Sequence, residues 1–144
     1  NEEAAKRGLP LATCGALGFA GAVIVFDHST PTFAELTGVE ASLPYEENIR
    51  RFLQFICPEI PEYMQAQFVK ALRRESHIPF VVPGVEIAAA CAATEVAKQI
   101  LNLGEKVRAP RGIFIDPVRL KIEIFEASYL ARKLFKPRST TTAA

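Results

Sequence analysis

Apolar positions cluster most strongly near the start of the chain. The run from Pro10 to Asp27, PLATCGALGFAGAVIVFD, carries no charge before its last residue. Leu11 to Cys14 is a short apolar run, and Ala22 to Phe26 is rich in β-branched residues, with glycines between them. Short apolar runs bounded by glycine are typical of buried strands. The pattern predicts two core strands that meet at a glycine-rich corner.

The same stretch allows a second interpretation, a membrane span. Gly8 to Phe26 is free of charge and follows Lys6 and Arg7, as in a signal or anchor segment. A spanning helix would contain Pro10 and several glycines, and its β-branched residues would all lie at one end. We therefore expect a soluble core.

Helical periodicity dominates the residues on either side of this stretch. NEEAAKRG is typical of a helix end capped by Gly8. After Asp27 the pattern predicts three helices over about residues 31–77. The first has two overlapping start signals, Thr30 before Pro31 and a Thr32/Glu35 capping box. The predicted ranges are Phe33 to Leu36 ending at Gly38, Ser42 or Leu43 to Cys57-Pro58, and Pro61 to about Arg74.

An alanine-rich helix and a hairpin follow. The helix runs from Pro83-Gly84 to Gly104, and its apolar residues occupy nearly all faces, so we expect it to be buried between a sheet and a further layer. Within it, Glu95 and Lys98 are spaced as a local ion pair.

The hairpin is predicted from two strands, Gly112 to Ile115 and Arg119 to Phe125, with a turn near Asp116-Pro117-Val118. In the second strand, apolar and charged residues alternate, which predicts one buried face and one in water. The apolar set is Leu120, Ile122 and Ile124, and the charged set is Arg119, Lys121 and Glu123.

Composition narrows the class of protein. The chain has 144 residues, 49% of them hydrophobic, enough for one domain with a core. A net charge of +1 gives no argument for a nucleic acid or an anionic membrane as partner. Cys14, Cys57 and Cys91 are odd in number and far apart, which favours a reducing, cytoplasmic setting over disulfides or a zinc site.

Candidate chemistry is sparse. GALGFAG has the glycines of a phosphate loop but leads into a β-branched segment, so its nucleotide signal is weak. Asp27 and His28 could form an acid/base pair, although a loop histidine is more often solvent-facing. Cys14 ends a strand before a glycine-rich turn, where backbone N–H groups could activate its thiol, although a structural cysteine is commoner.

A basic cluster lies near the end of the third predicted helix. Lys70, Arg73 and Arg74 are favoured there because cations offset the helix dipole. The alternative is a patch that docks an anion or a partner.

The order of these features resembles the C-terminal half of ThiF/MoeB/HesA-type adenylyltransferases, bacterial relatives of ubiquitin-activating enzymes. The resemblance covers roughly residues 1–125, in the runs AAKRGLPLATCGALGFAGAVIVF, PTFAEL and VVPGVEIAAACAATEVAKQILNLG followed by APRGIFIDP. The matching positions are Asn1, Ala5, Gly8, Leu9 and Pro10, then Gly15, Gly18, Phe19, Val23, Val25 and Phe26, then Gly84, Ala90, Ala93, Glu95, Lys98, Leu103 and Gly104.

The resemblance implies a fold and an activity. The fold is α/β: residues 1–126 would form the C-terminal half of a Rossmann-like ThiF-type domain, with a mixed sheet, an antiparallel C-terminal hairpin and a helical insertion at about 31–77. Residues 127–144 would be a flexible tail with a short amphipathic helix. The activity is ATP-dependent adenylation of a carboxylate on a small carrier protein, ubiquitin-like or sulfur-carrying, or on a peptide.

In that family, ATP and Mg²⁺ are held mainly by residues that would precede Asn1. The resemblance therefore assigns no catalytic and no metal-binding residue to this chain, and the family's CxxC pairs are absent from it. The candidates for contact with substrate are Thr13, Cys14, Gly15 and Gly18. A homodimer is also implied.

The alternative from another class is a non-catalytic α/β module for binding or oligomerisation. We expect a half-sheet to expose one edge and an apolar face, and so to associate.

Overall fold

The structure, a computed structural model, describes residues 2–127 and has a mixed α/β architecture. Its four-stranded sheet has the order β1-β2-β3-β4, and each neighbouring pair is antiparallel. Helices pack on both faces of the sheet, but on one face only over β1 and β2. The elements are α1 Glu2–Lys6, β1 Leu11–Leu17, β2 Ala20–Phe26, α2 Phe33–Thr37, α3 Tyr45–Ile56, a 3-10 turn Glu62–Met64, α4 Gln65–Leu72, α5 Val82–Leu101, β3 Arg111–Asp116 and β4 Lys121–Glu126.

The charge-free stretch forms the hairpin β1–β2, which confirms the predicted pair of core strands. β1 pairs with β2 from Leu11↔Phe26 to Leu17↔Ala20, and Gly18 takes a φ of 58° in the turn. Every residue of β2 is buried. Within residues 2–127 no helix is long and apolar enough to cross a membrane.

The helices predicted over residues 31–77 pack on one face of the sheet, where the main core lies. Of the two start signals for α2, Thr32 forms the capping box with Glu35, and Gly38 ends the helix in the left-handed conformation. Thr30 instead bonds the backbone of Asp27. The third predicted helix is divided into the 3-10 turn and α4. Core residues from the sheet and these helices include Ile24, Phe26, Leu53, Phe55, Met64 and Phe114.

The opposite face of β1 and β2 is covered by α5, as the alanine-rich pattern predicts. The helix approaches the hairpin closely because both carry glycine. A Cβ at Gly84 would lie 2.2 Å from the carbonyl oxygen of Gly18, and one at Gly21 would lie 2.7 Å from the nitrogen of Ala88. The outer side of α5 differs from expectation: among the described residues nothing covers it, and its exposed residues include Val82, Ala89, Ala93 and Leu101.

The hairpin β3–β4 forms as predicted, but its two faces are the reverse of the expected ones. Ile122 and Ile124 are 76% and 55% exposed. Lys121 and Glu123 of β4 lie toward the helical layer instead, where Lys121 and the turn residue Arg119 each place a nitrogen 2.6 to 2.7 Å from Oε1 of Glu59. The prediction of the buried face was wrong because α5 covers β1 and β2, and polar groups from the helical layer meet β4.

An ionic cluster joins this hairpin to the helical layer. Asp116, which is fully buried, accepts a hydrogen bond from Nε of Arg119 at 2.6 Å and another from the Tyr63 hydroxyl at 3.3 Å. The hydrogen bond from Lys121 lowers the pKa of Glu59, and Arg119 adds to this effect against the opposing effect of burial. The same bond raises the pKa of Lys121. The cluster therefore stabilises the charged forms of Glu59 and Lys121.

The chain beyond the hairpin is described for one residue. Ala127 is fully buried, although the sequence places it at the start of the tail. The predicted amphipathic helix and flexible tail at 128–144 lie outside the described residues.

We expect Gly84→Ala to destabilise the fold, although alanine favours a helix by about 1 kcal/mol over glycine. The new Cβ would overlap a backbone oxygen that cannot move without displacing the β1–β2 turn, at a cost of about 1–3 kcal/mol. Urea denaturation measures the change. Ala89→Gly, at an exposed position of the same helix, is the control for propensity alone; a stabilised Gly84→Ala protein would contradict the close packing.

The Glu59 cluster predicts a pH-dependent contribution to stability. Because the folded-state pKa of Glu59 lies below the ordinary 4.5, its contribution is present above that value and is lost as the pH falls through the lowered pKa. Glu59→Gln should cost under about 1 kcal/mol at neutral pH, since the pair is half exposed. The difference from wild type should shrink as the pH falls below 4.5 and vanish once Glu59 is protonated in the folded protein. Thermal melts across pH measure it, with Glu62→Gln as the matched control; an unchanged difference in acid would contradict the assignment.

Candidate functional site

The four residues predicted to contact substrate lie along β1 and its turn, but they do not converge. Thr13 and Gly15 face the helical layer: Thr13 pairs with core residue Ile24, and a Cβ at Gly15 would lie 2.7 Å from Cδ1 of Ile56. Cys14 is exposed on the α5 side. Gly18 lies in the turn beside the side chains of Met64 and Tyr63. These residues therefore do not form one pocket.

A cavity lies between the start of β1 and the end of α5, and we call it the α5–β1 groove. Its volume is about 310 Å³. Ala12 belongs to the same strand face as Cys14, two residues away. The lining is mainly apolar and consists of Leu9, Pro10, Ala12, Val25, Val96, Gln99 and Ile100. Pockets of this size with few polar groups are typical of sites for small apolar ligands.

Two polar side chains of α5 lie at this end of the helix with unsatisfied atoms. Glu95 is only 2% exposed, and its Oε1 is 2.6 Å from Nζ of Lys98, which confirms the predicted ion pair. Its Oε2 has no hydrogen-bond partner among the described residues, and neither does Nε2 of Gln99. The two atoms, an acceptor and a donor, are on residues one helical turn apart. Buried polar atoms are usually paired, so these atoms could bind a ligand or water. Sequence spacing predicted the ion pair but gave no signal of its burial.

The three thiols differ in character. Burial raises the pKa of Cys91, and the nearby Glu95 and Cys14 raise it further, so the Cys91 thiol is protonated at neutral pH. Cys57 is buried, and its Sγ donates to the carbonyl oxygen of Glu59. Activation of Cys14 by the turn stays a prediction, although the Gly18 amide already donates to the carbonyl oxygen of Pro79. The arrangement favours binding over nucleophilic chemistry.

The Asp27–His28 pair is not arranged as a proton relay. Burial opposes ionisation of Asp27, but hydrogen bonds from the hydroxyl and amide of Ser29 outweigh it, and its pKa lies below the ordinary value. Asp27 also pairs with Arg108 at 2.8 Å. His28 is exposed. The Asp27 carboxylate therefore stabilises the turn at Ser29 and binds Arg108, which precedes β3. It is not paired with His28 for proton transfer.

The groove lies at an open edge of the sheet. β1 is an edge strand of the described sheet, and Leu11 to Leu17 contain no charge and no proline. The opposite edge strand, β4, carries Lys121, Glu123 and Glu126. Charges protect natural sheet edges against further pairing. The two edges therefore differ: β4 is protected and β1 is available.

Together these features describe an apolar groove beside an open strand edge. Within residues 2–127 no three side chains of His, Cys, Asp or Glu are grouped so as to hold a metal ion. No protein-family model matches the chain, and no curated protein sequence matches it. The assignment of a function therefore depends on the site and on the resemblance described above.

We expect the three thiols of the native protein to react with iodoacetamide at different rates. Cys14 should react first because it is exposed, and Cys91 should react slowly because its pKa is raised. Glu95→Gln should speed the alkylation of Cys91, by less than about tenfold since burial is the larger cause.

Mass spectrometry of digested samples locates the labelled thiols. Glu86→Gln, at an exposed position of the same helix, is the control. An unchanged Cys91 rate in Glu95→Gln would show that the carboxylate does not act on the thiol.

Proposed function

We propose that this chain is the C-terminal part of a ThiF-like adenylyltransferase domain, which activates the carboxylate of a small carrier protein or a peptide with ATP. The observation that carries the proposal is the open edge of β1. β1 carries no charge, packs partly against α5 on one face and lies against Ile56 of α3 on the other, which is the character of an interior strand of an α/β sheet. The proposal places nucleotide-binding strands beside it.

The order of the elements supports the same proposal. Helix α1 leads into the antiparallel hairpin β1–β2. The helical region of residues 31–77 follows, and the long helix α5 then packs across β1 and β2. The resemblance implies this order for the half of the domain that follows the nucleotide site. It also implies the C-terminal hairpin, present here as β3 and β4.

The described residues do not fit a triphosphate. Binding one would need free backbone amides at a turn or a helix N-terminus. In the β1–β2 turn the Gly18 amide already donates to Pro79, and Gly84 packs against the Gly18 carbonyl oxygen. We therefore propose that residues outside this chain bind ATP and Mg²⁺. The residues described here would then take no direct part in the transfer of the adenylyl group.

The role that remains for this chain is structural and selective. β1 and β2 would support the centre of the larger sheet. The α5–β1 groove lies at the junction, with Gln99 as its polar lining residue. The helical region of residues 31–77 would carry contacts to the carrier, since inserted segments often carry substrate specificity.

One observation favours a second candidate, a non-catalytic module for binding or oligomerisation. The outer side of α5 is apolar and exposed, and small residues such as Ala89 and Ala93 allow another backbone to approach it. Exposed apolar patches of this kind mark interaction surfaces. Such a module would need no nucleotide.

ATP–pyrophosphate exchange tests the proposal. We expect exchange by the protein as encoded in its complete reading frame, in the presence of candidate carrier proteins, and none by residues 1–144 alone, because the described residues offer no triphosphate site. Omission of the carrier is the control, since the exchange needs an acceptor carboxylate. Absence of exchange from both proteins would contradict adenylation and favour the binding module.

A further inference from the structure

A second, larger cavity lies on the opposite face of the sheet, among α3, α4 and the segment that follows α4. We call it the α3–α4 cleft, and its volume is about 940 Å³. Its apolar residues include Phe80, whose side chain is 65% exposed. The lining consists of Tyr45, Ile49, Ala71, Arg74, Glu75, Ser76, His77, Ile78 and Phe80. The cleft is therefore apolar, with polar and charged groups drawn from one short segment after α4.

Arg74 holds an unusual backbone conformation at the rim of this cleft. Its φ is 60°, in the left-handed region, and it follows the C-cap of α4. The Glu75 amide donates to the carbonyl oxygen of Lys70, which closes the end of the helix. Glycine adopts this conformation without strain, and arginine does not. The backbone at this position therefore disfavours arginine. The reason for an arginine here must lie in what its side chain does.

The guanidinium of Arg74 lies over the cleft wall. Its Cζ is 4.7 Å from the centroid of the Tyr45 ring, and its Nε is 2.8 Å from Oε1 of Glu46. Both members of the ion pair are largely exposed, so Glu46 can exchange for another carboxylate at little cost. Stacking on the aromatic ring fixes the fork of the guanidinium, which suits bidentate recognition of a carboxylate.

The local charge agrees with an anionic ligand. Residues 70–75 contain three cations, Lys70, Arg73 and Arg74, and one carboxylate, Glu75, and a second carboxylate, Glu46 of α3, pairs with Arg74. We propose that the α3–α4 cleft binds a carboxylate attached to an aromatic or branched apolar group. The apolar group would lie against Ile49, Ile78 and Phe80, and the carboxylate would pair with Arg74. Such a group can belong to a free acid or to the C-terminus of a peptide, and the site does not depend on the adenylyltransferase proposal.

Two probes distinguish these sources in an NMR titration of the ¹⁵N-labelled protein: 4-phenylbutyrate, and an acetylated tripeptide that ends in phenylalanine. We expect shift changes at Tyr45, Ile49, Ile78 and Phe80, and about tenfold weaker binding when the carboxylate of either probe is replaced by an amide. The probe that binds more tightly identifies the source.

Two variants provide the matched comparison. Arg74→Gly removes the guanidinium at a position that glycine fits, so the protein should melt at the same or a higher temperature and bind about tenfold more weakly. Arg73→Ala removes the same charge from a residue that does not line the cleft, and binding should hardly change.

Three results would overturn the proposal. The first is that Arg74→Gly and Arg73→Ala weaken probe binding equally. The second is that the acid and amide forms of a probe bind equally well, which can be measured on the wild-type protein whether or not Arg74→Gly folds. The third is the absence of shift changes at the cleft with both probes up to about 10 mM.

Discussion

The close approach of α5 to the β1–β2 turn is the constraint that sets where this helix lies on the sheet and which part of the sheet it leaves uncovered. With no side chain at Gly84 or Gly21, the helix lies against the backbone of the hairpin. The contact fixes the position of α5 over two strands, and the face of β3 and β4 on the same side stays uncovered in the described chain. Toward its C-terminal end α5 carries larger residues, Val96, Gln99 and Ile100, and there the α5–β1 groove opens.

The hairpin β3–β4 shows how polar partners can decide the orientation of a strand. Its isoleucines alternate with charged residues, so either face could turn toward the helical layer. That layer offers Glu59 and the Tyr63 hydroxyl, and Asp116 is already buried in the turn. A buried carboxylate needs charged and hydrogen-bonding partners, and Arg119 and the Tyr63 hydroxyl supply them to Asp116, while Lys121 pairs with Glu59. As a result, the face of β4 that carries Ile122 and Ile124 is exposed.

Local signals predicted local structure well. The capping box at Thr32 and Glu35, the left-handed Gly38 and the proline at the end of α3 each depend on a few neighbouring residues, and the sequence contains them. What the pattern could not predict was which side of each element meets another. The outer face of α5, the faces of β4 and the burial of Glu95 all depend on contacts between distant segments.

The candidate site was predictable only in part, for the same reason. β1 was correctly located, but Thr13, Cys14 and Gly15 alternate between two faces, and a run of neighbours in sequence is not a cluster in a strand. The α3–α4 cleft combines α3, α4 and the segment after it, so spacing along the chain gives little indication of it. The basic cluster at Lys70, Arg73 and Arg74 was its one visible sign.

The difference between the two edge strands bears on how a sheet of this kind could grow. A sheet that can pair at both edges joins neighbours head to tail and grows into a fibre without a defined end. Here the charges of β4 disfavour pairing on one side, whereas β1 carries no charge. If a further strand were to pair with this sheet, from the same polypeptide or from another, we would expect it at β1 and not at β4.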